Sequence, residues 1–238
     1  MTGTSGSNST VKSVKHVNRE AFFCENIITW GQVHVREFPW RSYRNGYRVL
    51  VSEVLLVQTF AQKVVPVYNQ IVSIYPGFYD LAHANINDIK EIIMPLGLIY
   101  RASLLVEIAY NVVHKFNGQL PNDKSKLMEL KGIGNYIAST IQCFAFNESV
   151  SIVDANVVRV LSRYFGLDWP LNTSKQRAII NAFADDLVSN IDDALVYNYA
   201  LLDFGALVCK HYNPLCSECP VWAKCSMATT SSELERVI

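Results

Sequence analysis

The chain has 238 residues, of which half are hydrophobic and 18% are charged. This length suits one large or two small domains, and the low charge content excludes disorder for most of the chain. The formal net charge is zero, so charge alone neither indicates nor excludes a nucleic-acid partner. No apolar run reaches the ~18 residues of a membrane helix, and no secretory signal is present, which predicts a cytoplasmic protein with no membrane association.

The predicted elements are almost all helical. Residues 1–17 are polar and predict a flexible tail, and apolar residues at helical spacing predict a helix from 18 to 37. Residues 38–48 combine turn formers with arginines and predict a basic loop, and residues 49–75 predict a helix pair. Further helices are predicted at 78–83, 87–93, 99–116, 123–130, 136–147, 154–165, 173–189 and 192–208. Alternating strand patterns are nearly absent, so the predicted fold class is all-α.

Four of the six cysteines are concentrated near the C-terminus. Cys209, Cys216, Cys219 and Cys225 form a C-x6-C-x2-C-x5-C pattern within seventeen residues. In an intracellular protein, clustered cysteines indicate a metal centre before disulfides. Zinc and a [4Fe-4S] cluster both remain compatible with the pattern. The cluster is favoured because structural zinc sites usually contain two C-x2-C pairs, and only one is present here.

Three shorter motifs carry candidate functional residues. In LKGIGNYIAS, Gly132 and Gly134 permit a tight turn before a helix whose N-terminus could face a phosphate, although an ordinary turn would look the same. Asp154 immediately precedes an apolar helix and is suited to cap it. Glu53 lies in the apolar stretch VLVSEVLLVQTF, where it is either exposed or a buried carboxyl group suited to general acid catalysis.

Taken in order, these motifs resemble a known family. FPWR, YRVLVSEVLL, PLG, LKGIGNYIAS, VDANVVRVLSR, LLDFGALVC and the cysteine spacing follow the order of the helix-hairpin-helix (HhH-GPD) DNA glycosylases. The resemblance spans residues 38–225 and is to the iron-sulfur branch, which contains endonuclease III, MutY and the thymine mismatch glycosylases. It implies a six-helix barrel with the hairpin over 49–157. It also implies an iron-sulfur cluster domain built from 18–48 and 158–238, with a DNA-binding active-site cleft between the two domains.

The resemblance also implies roles for individual residues. Asp154 corresponds to the essential carboxylate, Glu53 to a second acid, and Tyr136 to a residue of the base pocket. Bifunctional relatives carry a lysine at the position of Tyr136 and form a Schiff base with the sugar. A phenol cannot do this, so the resemblance implies a monofunctional enzyme that hydrolyses the N-glycosidic bond, leaves an abasic site and lacks AP lyase activity.

The expected partner is double-stranded DNA that contains a mismatched or modified base, bound by a monomer. The target base is expected to flip out of the stack into the pocket. The four C-terminal cysteines would hold a [4Fe-4S] cluster, and Leu98 would act as an apolar wedge. The expected DNA contacts are Lys131, Gly132, Gly134, Asn135, Arg48, Gln58, Leu98 and Lys210.

The sequence leaves the excised base open. Leu98 and Ile99 stand where adenine glycosylases carry a tyrosine pair, and the chain ends at residue 238 without their additional C-terminal domain. Both features favour thymine or uracil opposite guanine. A modified base, such as an altered cytosine in foreign DNA, and adenine opposite 8-oxoguanine are the alternatives. A catalytically inactive DNA-binding iron-sulfur protein is the non-enzyme alternative, against which the presence of both Asp154 and Glu53 argues.

Overall fold

The computed structural model describes residues 9–167 and 173–228, and within these ranges it contains helices and no strand. The all-α prediction is therefore confirmed. Contacts divide the chain into two compact units: Met1–Arg36 with Val153–Ile238, here called the flanking unit, and Glu37–Ile152, here called the inserted unit. The described helices include none with the length and hydropathy that a membrane span requires.

Among the described residues, the inserted unit contains eight α-helices and one 3-10 turn at Met94–Leu96. The α-helices are α2 (Pro39–Ser42), α3 (Gly46–Leu56), α4 (Ala61–Ile74), α5 (Phe78–Ala82), α6 (Ile86–Ile93), α7 (Tyr100–Phe116), α8 (Lys124–Met128) and α9 (Asn135–Phe146). Three of them, α2, α5 and α8, have only four or five residues. The family resemblance implied six helices here, whereas the structure has eight α-helices, of which these three are short. Helix α3 packs against α4, α7 and α9, with Leu50 and Leu55 fully buried.

The described part of the flanking unit contains four α-helices, besides two 3-10 turns in the cysteine segment. The α-helices are α1 (Ser9–His34), α10 (Ala155–Phe165), α11 (Ser174–Ser189) and α12 (Ala194–Leu207). Helix α1 lies directly against α12, where a Cβ atom on Gly31 would meet the Ala200 Cβ at 2.4 Å. Any side chain at Gly31 would therefore separate the two helices. The rings of Phe23 and Tyr164, 4.7 Å apart, continue this core towards α10.

Side-chain caps explain where several helices begin. Asn45, Asp123, Asp154 and Asp193 each accept a hydrogen bond from a backbone amide in the first turn of α3, α8, α10 and α12 respectively. Thr173 and Gln176 form a reciprocal capping box at the start of α11. Such caps satisfy amides that have no partner within the helix, so short polar residues in the sequence mark these helix starts.

Helix α1 begins earlier than the sequence predicted. It starts at Ser9 rather than Asn18, so residues 9–17 of the predicted flexible tail are helical. The sequence between Ser9 and Asn18 contains neither glycine nor proline, and nothing in it interrupts a helix. The remainder of the predicted tail, residues 1–8, lies outside the described residues.

The two units are also divided at different positions from those predicted. The first boundary lies after Arg36 rather than after residue 48, because Trp40 stacks on Phe38 and packs edge-on against Tyr68 of α4. The second lies after Ile152 rather than after residue 157. Helix α10 is continuous and buries Val157 in the core of the flanking unit. Asp154 therefore belongs to the flanking unit and not to the predicted barrel.

Candidate active site

Both carboxylate oxygens of Asp154 are hydrogen bonded at the start of α10. Oδ1 accepts the Val157 backbone amide at 2.7 Å, and Oδ2 accepts the Asn156 side-chain amide at 2.8 Å. The side chain is only partly buried. Each carboxylate oxygen has two lone pairs, so these two bonds fix the orientation of the group and leave acceptor capacity for a water molecule or a substrate.

The amide of Asn156 belongs to a longer network. Its Oδ1 accepts Arg159 Nη2 at 2.9 Å, and the same guanidinium donates to the carbonyl oxygens of Gly205 at 2.7 Å and Cys209 at 2.9 Å. Arg159 is buried, and burial is the main cause that lowers its pKa. The roles of Asn156 and Arg159 were not predicted from the sequence. Their only local signal is that two polar residues three positions apart share one face of the helix that follows the candidate catalytic acid.

Glu53 and Tyr136 lie on two helices of the inserted unit that pack against each other. Glu53 is on α3 with 5% of its surface exposed, which settles the choice between an exposed and a buried carboxyl group in favour of burial. Tyr136 is in the first turn of α9 and is partly exposed. The structure thus brings together the helices of two predicted pocket residues, while Asp154 lies in the flanking unit.

The predicted hairpin joins α8 to α9. Gly132 has a φ of +80°, a conformation that favours glycine, and a Cβ atom there would lie 2.8 Å from the side chain of Leu104, which would have to move. Ile133 is buried and anchors the turn, while Gly134 and Asn135 are exposed. No side chain caps α9, so its N-terminal amides are not occupied by a capping residue. This arrangement is suited to a phosphate group.

Lys131 has an acidic partner that the sequence did not reveal. Its Nζ lies 2.9 Å from Oε2 of Glu107 on α7, and both side chains are exposed. The predicted phosphate contact of Lys131 therefore has to compete with a surface ion pair. Exposed pairs of this kind contribute only about 0–1 kcal/mol, so a phosphate can displace the carboxylate.

Replacing Glu107 with glutamine is expected to strengthen DNA binding by about two- to fivefold at low salt, since Lys131 is then freed and one repulsive charge is removed. The difference in affinity between this variant and the wild type should diminish as the salt concentration is raised. Fluorescence anisotropy of a labelled duplex measures both effects. Glu129→Gln, which removes another acid between α8 and the hairpin glycines, is the control. An equal increase in DNA affinity in the two variants would show that the net charge of the surface, and not the Lys131–Glu107 ion pair, governs affinity.

The other predicted DNA contacts of the inserted unit lie on the surface or at its edge. Gln58 and Leu98 are exposed, and both adopt positive φ angles, of +54° and +49°. The Arg48 guanidinium lies over the Tyr43 ring at 5.1 Å, and Arg48 is half-buried in the first turn of α3 rather than free in a loop. Part of the predicted basic loop is helical, because α2 and the start of α3 fall within it.

The cysteine segment follows α12 in the flanking unit. None of the four C-terminal cysteines forms a disulfide, and all four are partly buried. Arg163 of α10 holds the segment by donating to the carbonyl oxygens of Lys210 at 2.6 Å and His211 at 2.9 Å, and its Nη1 lies 3.7 Å from the Cys209 sulfur. The Lys210 side chain is exposed and is available for contact with a phosphate.

No group of three or more His, Cys, Asp or Glu side chains in residues 9–167 and 173–228 is arranged to hold a metal ion. The geometry alone therefore identifies no metal centre. The chemistry of the donors does fit one, because four thiols lie within seventeen residues of a single segment. Burial raises the pKa of Cys219 to about 11, and the charges of Cys225, Cys209 and Cys216 add to that increase. A soft metal or cluster would remove this penalty, since coordinated thiols are deprotonated.

More than half of the chain matches the sequence pattern of one protein family. The matching pattern is that of the HhH-GPD superfamily of base excision DNA repair proteins, and it covers residues 51–183. The chain belongs to this superfamily. The match includes Glu53, the hairpin, Tyr136 and Asp154, whereas the four clustered cysteines lie beyond it. Membership confirms the resemblance that the ordered motifs indicated.

Individual members of the superfamily are similar over most of the chain. A thymine/uracil-DNA glycosylase of Methanothermobacter thermautotrophicus is 32% identical over 205 residues, which are 86% of this chain and 92% of the relative. An adenine DNA glycosylase of Mus musculus is 35% identical over 85% of this chain but only 41% of the relative. The solved structure of a thermostable thymine-DNA glycosylase has a TM-score of 0.84 at 30% identity, and the match covers 90% of this chain and 99% of that one.

Proposed function

We propose that this HhH-GPD protein is a monofunctional DNA glycosylase that removes thymine or uracil opposite guanine and leaves an abasic site. It would act as a monomer on double-stranded DNA. The observation that carries the proposal is the similarity to thymine-DNA glycosylases along nearly the full length of both chains. The chemistry of the candidate site is consistent with this reaction.

Asp154 would stabilise the positive charge that develops on the sugar. Cleavage of an N-glycosidic bond passes through an oxocarbenium-like state, as glycoside hydrolysis does, and a preorientated carboxylate stabilises such a charge. The bonds from Val157 and Asn156 orient the group before DNA binds, which limits reorganisation during the reaction. The same carboxylate can align the water that attacks the sugar.

Glu53 would act on the leaving base. A thymine or uracil anion departs more easily when a donor stabilises its oxygen or nitrogen, and a carboxyl group or a water that it orients can supply that proton. Burial of Glu53 among the apolar residues of α3 keeps competing bulk water away from it. Tyr136 lacks the amine that a Schiff base requires, so hydrolysis without strand cleavage is proposed.

We also propose that Cys209, Cys216, Cys219 and Cys225 hold a [4Fe-4S] cluster. Four partly buried thiols within one seventeen-residue segment, none of them in a disulfide, support this assignment. When bound, such a cluster would supply covalent cross-links within a segment that has only short turns of its own. The residues of this chain that act on the DNA there are the exposed side chains of the segment, Lys210 among them.

Substitution of Cys216 by serine is expected to reduce iron content at least severalfold, and to lower the melting temperature, because one soft ligand is lost and the segment loses a cross-link. Iron analysis and absorbance near 400 nm check the first effect, and calorimetry checks the second. Cys143→Ser, which alters a buried thiol of the inserted unit, is the control and should retain iron. Full iron content in the Cys216 variant, or stoichiometric zinc in the wild type, would contradict the cluster.

The function is tested on labelled duplexes that contain G:T, G:U, adenine opposite 8-oxoguanine, or a modified cytosine. We expect strand breaks on G:T and G:U only after hot alkali, since an abasic site breaks only then. Breaks without alkali, or covalent trapping with borohydride, would contradict the monofunctional mechanism. Release of adenine or of a modified cytosine alone would replace the proposed substrate. Binding without any release would favour the inactive DNA-binding protein.

A further inference from the structure

Arg101, on α7 of the inserted unit, has a buried guanidinium that contacts the end of α3. Only 1% of the residue is exposed. Nη1 donates to the Leu55 carbonyl at 2.6 Å, and Nη2 donates to the Val57 carbonyl and to the Thr59 hydroxyl, the latter at 2.9 Å. These groups lie at the point where α3 ends and the following loop begins. The guanidinium therefore fixes the path of the chain as it leaves the helix.

The loop that Arg101 holds contains Gln58 in a strained conformation. Gln58 has a φ of +54° and an exposed side chain, and it lies between Val57 and Thr59, which are both bonded to the same guanidinium nitrogen. Thr59 also donates its backbone amide to the Leu56 carbonyl at 3.0 Å. A residue other than glycine persists in the left-handed region only when its surroundings fix it there. The contacts of Arg101 provide that constraint.

The same residue also contacts the turn that carries Leu98. The Arg101 backbone amide donates to the Leu98 carbonyl at 3.1 Å. Leu98 has a φ of +49°, and it is followed by the exposed apolar side chains of Ile99 and Tyr100. Arg101 thus joins two separate segments, the Gln58 loop through its side chain and the Leu98 turn through its backbone.

The partners of the guanidinium are neutral oxygens. Buried arginines are usually paired with carboxylates, and an arginine without one gains less from burial. The Nε atom of Arg101 has no hydrogen-bond partner. Burial of this cation is therefore a poor source of stability for the fold, and its main physical effect is on the geometry of the Gln58 loop.

We propose that Arg101 is a positioning residue that holds the Gln58 loop and the Leu98 turn as one rigid element, which enters the duplex beside the extruded base. The inference rests on the proposed function, because it assumes that this surface meets DNA from which a base is flipped. A flipped base leaves a gap in the stack, and exposed side chains can fill it. An element that is ordered before binding loses little conformational freedom when it binds.

The test uses the full chain with Arg101→Met and duplexes that carry the fluorescent base 2-aminopurine next to a G:T mismatch. Binding by the wild type should raise the fluorescence as the neighbouring base unstacks. Arg101→Met should at least halve this rise, and it should slow base release from G:T by about tenfold or more. Release of thymine opposite an abasic site should slow by less than about threefold, because that thymine is already poorly stacked. A merely structural role would slow both reactions equally.

Two variants of Thr59 test the proposal independently, in case Arg101→Met does not fold. Thr59→Val removes one acceptor of the guanidinium, and Thr59→Ser retains it. The valine variant should show a smaller fluorescence rise, and the serine variant should match the wild type. Equal behaviour of these two variants, or an unchanged rise in Arg101→Met, would overturn the proposal.

The fluorescence readout does not require excision. A wild type that raises the fluorescence but releases neither thymine nor uracil would contradict the proposed substrate, while the comparison of variants would still decide the role of Arg101. A wild type that binds the mismatch without any rise in fluorescence would overturn the positioning role.

Discussion

Replacement of Asp154 by asparagine is expected to slow base release by about 10³-fold, because the neutral amide cannot stabilise the charge that develops on the sugar. DNA binding should stay within about threefold of the wild type, since the variant removes no cationic contact to the phosphates. Asparagine is also an effective N-cap, and it can still accept the Val157 amide. The fold of α10 should therefore persist. Single-turnover release from a G:T duplex, with binding measured separately, checks both expectations.

Asp193 provides a matched control for this experiment. It caps α12 in the same unit, accepts the Val196 amide at 3.0 Å and is exposed. Asp193→Asn makes the same chemical change at an equivalent cap, and it should leave base release unaltered. Release by Asp154→Asn within tenfold of the wild type, or an equal loss in Asp193→Asn, would remove Asp154 from its catalytic role.

The largest expected effect on stability lies at the buried ion pair between Arg36 and Asp203. Arg36 Nη2 and Nε lie 2.6 and 2.9 Å from Asp203 Oδ1, and the Arg36 backbone amide donates to Oδ2 at 2.7 Å. The Asp203 side chain is fully buried, whereas that of Arg36 is 27% exposed. Arg36→Met is expected to lower the free energy of unfolding by about 3–5 kcal/mol, because it leaves a buried carboxylate without its cation.

Urea unfolding followed by tryptophan fluorescence measures this change, since Trp30 lies in the core of the same unit. Arg36→Lys keeps the charge but cannot donate from two guanidinium nitrogens. Its free energy of unfolding should therefore lie between those of the wild type and the methionine variant. Glu107→Gln breaks an exposed pair and should change stability by no more than about 1 kcal/mol. A methionine variant as stable as Glu107→Gln would show that the buried pair adds nothing to the fold.

Much of the local structure was predictable from the sequence. Apolar residues at helical spacing located the helices to within a few residues from α3 onwards, and capping residues such as Asp154 and Asp193 marked their starts. The two glycines of LKGIGNYIAS predicted a tight turn before α9, and the ordered motifs of the family resemblance, rather than the glycines alone, indicated the hairpin. The ordered motifs indicated the superfamily that the comparisons then confirmed.

The partners of the polar residues were not predictable in this way. Arg101 bonds to groups 42–46 positions away, and Arg159 bonds to the carbonyl of Cys209, 50 positions away. Lys131 meets Glu107 only because α7 and the hairpin are neighbours in space. Local periodicity carries no information about such contacts.

The sequence by itself determined the helical fold class, the starts of the helices from α3 onwards, the superfamily and the residue types of the candidate site, because each depends on nearby residues or on motif order. Only the tertiary structure decided that Glu53 is buried, that Asp154 belongs to the flanking unit, and that Arg101 links the Gln58 loop to the Leu98 turn. These properties depend on packing between distant segments. They form only when segments that are far apart in the sequence pack together, so the spacing of residues along the sequence does not predict them.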